Sequence, residues 1–242
     1  MKNFLIVPNL TREKTESLLS LTNEYLEREN VAFTVSPDGS VPAGETFDAL
    51  IFIGGDGTML RSAHTALELD IPMVGINAGS VGYYSRISAE DLEGKLGRLI
   101  RDEYSLEECV LLTHDGKRAV INDAVMMVKG SVASFIVIKK DGREIFRTVS
   151  SGLILSTTIG SSGITRSAGG ALMDNGLPLL EITPILPNRG DDRSLVIGSD
   201  SEISLNCDRE AEMNLDGSVC EIPKDDITFR AFGKKLKLVS FQ

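Results

Sequence analysis

Short apolar runs, each closed by turn residues, mark the first hundred residues at positions 4–7, 31–35, 49–53 and 72–76. The run Ala49-Leu50-Ile51-Phe52-Ile53 is apolar at every position. That suits a strand buried on both faces of a parallel sheet. Between the runs the period changes to that of a helix. Across residues 11–30, Leu18, Leu21, Tyr25 and Leu26 share a face, with Thr11 read as the N-cap and Glu13 in the first turn. From Thr58 onward Leu60, Ala63 and Leu67 fall on one face. Ser88 to Asp91 resembles a capping box ahead of the stripe Leu92, Leu96, Leu99 and Ile100. Residues 36–45 hold two prolines and two glycines and read as a loop. Residues 1–102 are therefore expected to form a doubly wound α/β domain.

After Tyr104 few segments keep a helical period. Strands are expected at 109–113 and 118–128 around Asp115-Gly116, and at 134–140 and 144–149 around Asp141-Gly142. Further strands are expected at 152–156, 180–186, 195–197, 202–206, 227–231 and 236–239. Residues 103–242 read as a β-rich domain whose last residues can return to the first. The fold class is α/β plus all-β, with no repeat or low-complexity tract.

Composition narrows the function. Lys plus Arg is 25 and Asp plus Glu is 35, a formal charge of -10 over 242 residues. Such a chain is a poor general binder of nucleic acid or anionic membrane, so any anion must be held by local donors. The apolar run behind Met1-Lys2-Asn3 is too short for a signal peptide, and nothing reaches a transmembrane length. Cys109, Cys207 and Cys220 show no CxxC spacing, which points to reduced thiols and a cytoplasmic protein. His64 and His114 have no companions at ligand spacing, and no Ser-His-Asp set is legible.

Chemistry concentrates where strands end. Gly54, Gly55, Asp56, Gly57 and Thr58 follow the buried strand and open a helix. Glycine permits positive φ and close ligand approach, and the N–H groups of such a turn form an anion nest. Asp56 beside a phosphate would only repel it unless a metal ion or a reacting hydroxyl requires a carboxylate. A plain strand-to-helix turn is the simpler alternative. The Lys-bearing phosphate loop and the GxGxxG fingerprint are both absent. A second glycine loop, NAGSVGYYS at 77–85, also follows a strand, as ligand loops do at the carboxyl edge of α/β sheets. Asn122-Asp123 interrupts an apolar segment, where paired polar residues need partners. Residues 150–170 form a run dense in Ser, Thr and Gly that can supply hydroxyls and N–H groups.

These motifs, closing with Ser167-Ala168-Gly169-Gly170 and Asp216-Gly217, stand in the order found in NAD kinases. The chain resembles that family from about residue 48 to 217. GGDGT alone is shared with diacylglycerol and sphingosine kinases; the NxGxxG-aromatic loop behind it is more specific. The resemblance implies an α/β domain followed by a β-rich one, and transfer of the ATP γ-phosphoryl group to the adenosine ribose 2′-hydroxyl of NAD. Asp56 is then the general base. Gly54, Gly55, Gly57 and Thr58 hold the ATP phosphates. Asn77, Tyr83, Asn122, Asp123, Ser162, Gly163 and Ser167 bind NAD. It also implies Mg²⁺ with the ATP, with no metal ligand assignable, ATP or polyphosphate as donor, NAD or NADH as acceptor, and a dimeric or tetrameric homo-oligomer without nucleic-acid or membrane partners. Departures fall on the acceptor side. Ser151 replaces an aspartate, Ile164 a tyrosine, Thr158-Ile159 a Pro-Thr pair, Asp123 a glutamate, and Ser218 stands where Gln is frequent. They keep open a kinase of another hydroxylated acceptor, lipid or sugar, and a nucleotide-binding sensor with a decayed acceptor site.

Overall fold

The computed structural model describes residues 2–79, 83–130, 132–188, 192–220 and 226–241. The chain divides into two compact units, Met1–Glu108 with Leu236–Gln242, and Cys109–Lys235.

Among the described residues the first unit holds a six-stranded sheet. Its strands are β1 (Asn3–Pro8), β2 (Ala32–Val35), β3 (Ala49–Gly54), β4 (Met73–Asn77), β5 (Ser105–Cys109) and β16 (Leu236–Ser240). They lie in the order β2-β1-β3-β4-β16-β5. Pairing is parallel from β2 through β16. All six residues of β3 are buried, as its unbroken apolar run requires. Helices α1 (Thr15–Arg28) and α3 (Leu92–Ile100) lay Leu18, Leu26, Leu96 and Leu99 against Ala49, Ile51 and Ile53. Helix α2 (Asp56–Leu69) packs on the other face, burying Met59, Ala63, Ala66 and Leu67. The chain leaves β1 to one side for β2 and returns to its other side for β3. That reversal opens a crevice at the carboxyl ends of β1 and β3. Register aligns those ends: Pro8 lies opposite Ile53, and Gly54 opposite Asn77.

The first unit corrects several expectations. Helix α1 begins at Thr15 rather than residue 11, because Thr11 turns back to Asn9: its N–H and Oγ1 both donate to Asn9 Oδ1, at 3.3 and 2.7 Å. Helix α2 begins at Asp56 rather than Thr58. No side-chain cap closes the start of α3; the Asp91 N–H donates to Ser88 Oγ at 3.3 Å instead. The first sheet also runs past residue 102, since β5 hydrogen-bonds to β16 within it.

The second unit is a curled antiparallel sheet. Its strands are β6 (Leu112–Thr113), β7 (Asp123–Val128), β8 (Ser134–Lys140), β9 (Arg143–Thr157), β10 (Leu179–Pro187), β11 (Leu195–Gly198), β12 (Ile203–Cys207), β13 (Ala211–Leu215), β14 (Ser218–Cys220) and β15 (Ile227–Ala231). The main path runs β14-β13-β7-β9-β8-β12-β15-β6, with β10 on β9 and β11 on β10. Its core gathers Met126, Ile136, Ile138, Leu153, Leu155, Ile182, Leu205 and Phe229. β9 is one strand of 15 residues and spans the two segments expected separately. Gly152 does not break it. A Cβ there would strike the Met126 carbonyl, so glycine permits the close approach of β7. Residues 118–122 are not strand, apart from a bridge between Val120 and Leu112. The β13–β14 hairpin was not expected. Asp216 and Gly217 form its two-residue turn with φ of 51° and 82°, the left-handed pair that type I′ demands.

Candidate active site

The turn after β3 is built by close packing rather than by unusual dihedrals. None of Gly54, Gly55 and Gly57 takes positive φ among the described residues, against expectation. Gly54 ends β3, and a Cβ there would run into the Thr58 side chain. Gly55, in extended conformation, is the residue from which α2 starts. Gly57 meets nothing and lies open in the first turn of the helix. The Thr58 and Met59 N–H groups return to the Gly55 carbonyl, at 2.9 and 3.1 Å. The two N–H groups ahead of them, on Asp56 and Gly57, point out of the helix head with its partial positive charge.

Asp56 stands exposed on that head. Its Oδ1 accepts the Tyr84 N–H at 3.3 Å, and its Oδ2 has no hydrogen bond among the described residues. Ser85 Oγ donates to the Gly54 carbonyl at 3.0 Å. The loop after β4 is thus latched onto the glycine turn at two points. Asn77 shapes its start, with Oδ1 accepting the Gly79 N–H at 2.9 Å. Tyr83 is 43% exposed and stands edge-on to the buried Tyr84, ring centres 5.5 Å apart. Ser80, Val81 and Gly82, the middle of the expected loop, lie outside the described residues. Thr58 is buried, and its Oγ1 accepts from Asn9 Nδ2 at 3.2 Å.

Next to this turn the first unit holds a cavity of about 280 Å³. Residues 7–11, 37–39, Thr58, Arg61 and Ser62 line it. Ser62 is 1% exposed, and its Oγ has no hydrogen-bond partner among the described residues. A buried hydroxyl without a partner is costly, so such a group at a cavity wall invites a polar occupant. Arg12 lies beside the turn, its guanidinium against Gly55 and Gly79. Sequence reading missed Arg12, Asn9, Arg61 and Ser62, because a helix expected from Thr11 hid the loop that carries the first two.

In the second unit, Asp216 organises residues 121–123. Its Oδ2 accepts the Ile121 N–H at 2.7 Å, and its Oδ1 accepts those of Asn122 and Asp123, at 2.7 and 3.3 Å. From the other side Thr157 donates its N–H to the Asn122 carbonyl at 2.9 Å and its Oγ1 to the Ile121 carbonyl at 2.5 Å. Gly160 lets this segment sit close, since a Cβ there would overlap the Asn122 carbonyl. Asp123 is only 8% exposed. Burial, and secondarily repulsion from Asp216, push its carboxyl up to about 6.

Residues 160–167 are ordered turns rather than a long loop: a 3₁₀ turn at Gly160–Ser162, then a short helix at Ile164–Ser167. Ser162 Oγ donates to the Ile159 carbonyl at 3.3 Å, and Ser167 Oγ reaches that of Gly163 at 3.5 Å. Gly163 joins the two turns in the open. Ile164 is 47% exposed. Ser151 is half-buried in β9. Among the described residues no three His, Cys, Asp or Glu are grouped to hold a metal. No helix among them is long and apolar enough to cross a membrane.

Comparison with known proteins agrees with this layout. The family model described as ATP-NAD kinase N-terminal domain matches residues 5–104, and that described as ATP-NAD kinase C-terminal domain matches residues 121–241. An NAD kinase of Dehalococcoides mccartyi is 34% identical over 217 residues, covering 84% of this chain and 76% of the relative. One of Lachnoclostridium phytofermentans is 27% identical and covers 100% of this chain and 95% of its own. Among solved structures, an Archaeoglobus fulgidus NAD kinase in complex with ATP superposes with a TM-score of 0.80 at 23% identity, over 99% of this chain and 93% of that one. A yeast NADH kinase complexed with NADH gives 0.80 at 18% identity, over 99% and 83%. By these matches over both units, the chain belongs to the NAD kinase family.

Proposed function

We propose that this protein transfers the γ-phosphoryl group of ATP to the adenosine ribose 2′-hydroxyl of NAD, giving NADP and ADP. The observation that carries the reading is the state of Asp56. Its carboxylate is exposed at the helix head, fixed through Oδ1 by the Tyr84 N–H and, among the described residues, open at Oδ2. A fixed base with one open oxygen is what removal of a hydroxyl proton requires. The 2′-oxygen attacks the γ-phosphorus, the bond from that phosphorus to the β–γ bridging oxygen breaks, and the hydroxyl proton goes to Asp56 Oδ2. Phosphoryl transfer asks for positioning and charge neutralisation more than for covalent help. The N–H groups of Asp56 and Gly57 serve that end.

ATP is favoured over polyphosphate by the cavity beside the turn. A nucleoside can use its apolar wall at Val7, Pro8 and Leu10 and its polar groups on Asn9 and Ser62. A phosphate chain has no use for the apolar wall. Mg²⁺ enters with the donor as Mg–ATP, and no step here is assigned to it. In the second unit the Asp123 carboxylate accepts hydrogen bonds from sugar hydroxyls, Asn122 offers its amide, and Ser162, Gly163 and Ser167 serve the adenine. Asn77 shapes the loop that carries Tyr83 toward the dinucleotide.

A second reading, a nucleotide sensor without turnover, draws on Ile164, whose exposed aliphatic side chain offers no aromatic face. One experiment separates the two. The protein is incubated with NAD or NADH and either Mg–ATP or Mg–polyphosphate, and products are scored by mass. An acceptor gaining one phosphoryl group from Mg–ATP supports the kinase. Nucleotide binding without any phosphorylated product would leave the sensor.

A further inference from the structure

Arg12 sits in the loop that leaves β1, clear of both motifs that drew attention in the sequence. Its guanidinium lies against two glycine backbones. Nη2 is 3.6 Å from where a Cβ on Gly55 would stand, and Nη1 is 3.1 Å from the same point on Gly79. Gly55 is the residue from which α2 starts, and Gly79 follows β4. One planar cation therefore spans Gly55 and Gly79, beside the start of α2.

This placement has the wrong sign for an empty site. A helix N-terminus carries partial positive charge and favours anions, and a guanidinium against it is repelled. Among the described residues the Arg12 side chain makes no ion pair or hydrogen bond that would offset this, not even with Asp56 in the same turn. The cavity next to the turn carries a second cation, Arg61, and the buried Ser62 hydroxyl, which has no partner among the described residues. In a chain of net charge -10, a guanidinium held against a helix head, with those groups on the neighbouring wall, calls for an anion. A guanidinium fork matches the oxygens of a phosphate, which a point charge on lysine does less well.

We propose that Arg12 is a further donor-binding residue: it clamps the phosphate chain of the nucleoside triphosphate over the glycine turn and neutralises charge on the phosphoryl group in transfer. The inference rests on the kinase reading for its catalytic half; its binding half stands on geometry alone. Arg12 is exposed, so its variants are expected to fold as the parent does.

The test pairs kinetics with binding. Arg12→Gln is expected to lower kcat/KM for Mg–ATP by about 1,000-fold, the lower end of the range that arginine contacts to a transferring phosphoryl group supply. The KM for NAD should stay within about threefold. Affinity for Mg–AMP-PNP, read by calorimetry, should fall about tenfold, and Arg12→Lys should recover only part of either loss. Arg101→Gln, which removes an equal surface charge beside Glu103, should leave all of these unchanged. If Arg12→Gln stays within twofold of the parent in both assays, the proposal fails. If the NAD KM rises while the donor constants hold, Arg12 serves the acceptor and the proposal also fails. A parent that forms no NADP would sink the kinase reading instead, and Mg–AMP-PNP binding by the parent and Arg12→Gln would still judge the clamp.

Discussion

Replacing Asp123 by asparagine should make the protein more stable and less able to bind its acceptor. The carboxyl is nearly buried and faces the negative Asp216, whose oxygens are already held by three backbone N–H groups. Burial first, and Asp216 second, raise its folded-state pKa to about 6. In the unfolded chain an aspartate titrates near 3.9. A folded pKa above the unfolded one means the native state holds the proton more tightly. The stability this provides is fully present below about pH 3.9 and is lost as pH rises through about 6. Between pH 4.5 and 7.5 the loss is about 2 kcal/mol, from the two titration curves and about 1.4 kcal/mol per unit. The Asn variant is neutral throughout and does not share it. Denaturant unfolding of both proteins across that range should show the variant gaining about 2 kcal/mol on the parent as pH rises, with other groups cancelling in the difference. A difference that stays flat within about 0.5 kcal/mol would refute the argument. NAD affinity should move the other way. Sugar hydroxyls donate to an ionised carboxylate, so binding by the parent should weaken below about pH 6, and the variant should bind weakly at every pH.

Three further outcomes follow from the geometry. Asp56→Asn should cut turnover by about a hundred- to ten-thousandfold while nucleotide affinity holds within a few fold; near-parental turnover would remove Asp56 from the chemistry. Gly160→Ala places a methyl group on the Asn122 carbonyl and should destabilise by about 1–3 kcal/mol, with a raised NAD KM, checked by thermal melting and steady-state kinetics. Ile164→Tyr changes an exposed position, so melting should be unaffected while NAD binds severalfold tighter, since stacking on a base contributes about 1–3 kcal/mol; unchanged NAD affinity in a titration would show that this side chain does not meet the base.

What the sequence could convey was set by range. The run at residues 49–53 announces its strand because burial on both faces demands an apolar side chain at every position. The six-stranded order could not be read, because β16 comes from the far end of the chain and slots between β4 and β5. The β13–β14 hairpin was legible but passed over: Ala211, Met213 and Leu215 alternate with Glu212 and Asn214 ahead of Asp216-Gly217, but β14 is only three residues long. Of the candidate residues, Asp56 stood out as a carboxylate among glycines, and Asn122-Asp123 as polar residues inside an apolar stretch. Arg12 did not, since an arginine after a short strand looks like any solvated charge. Asp216 was visible only as half of a turn. Its work on three N–H groups more than ninety residues away is a tertiary fact.

The glycines teach a narrower lesson about motif physics. Of the two reasons offered for GGDG, positive φ and close approach, the first does not hold there. What these positions share is contact. Gly54 clears the Thr58 side chain, Gly79 gives Arg12 room, Gly152 clears the Met126 carbonyl and Gly160 clears that of Asn122. Each lacks the methyl group that would crowd a side chain or a neighbouring backbone. The departures from the family pattern spare this set. Ser151 and Ile164 change side chains along the second unit, and Asp123 shortens one by a methylene, yet every glycine of the first-unit turn is kept. Phosphate geometry does not vary with the hydroxyl that receives the group, so the donor turn tolerates no drift. On the proposed reading the acceptor is met largely by side chains, which can be exchanged without moving the backbone. Divergence in this chain should therefore be sought in which dinucleotide it prefers, NAD or NADH, and not in how the phosphoryl group is held.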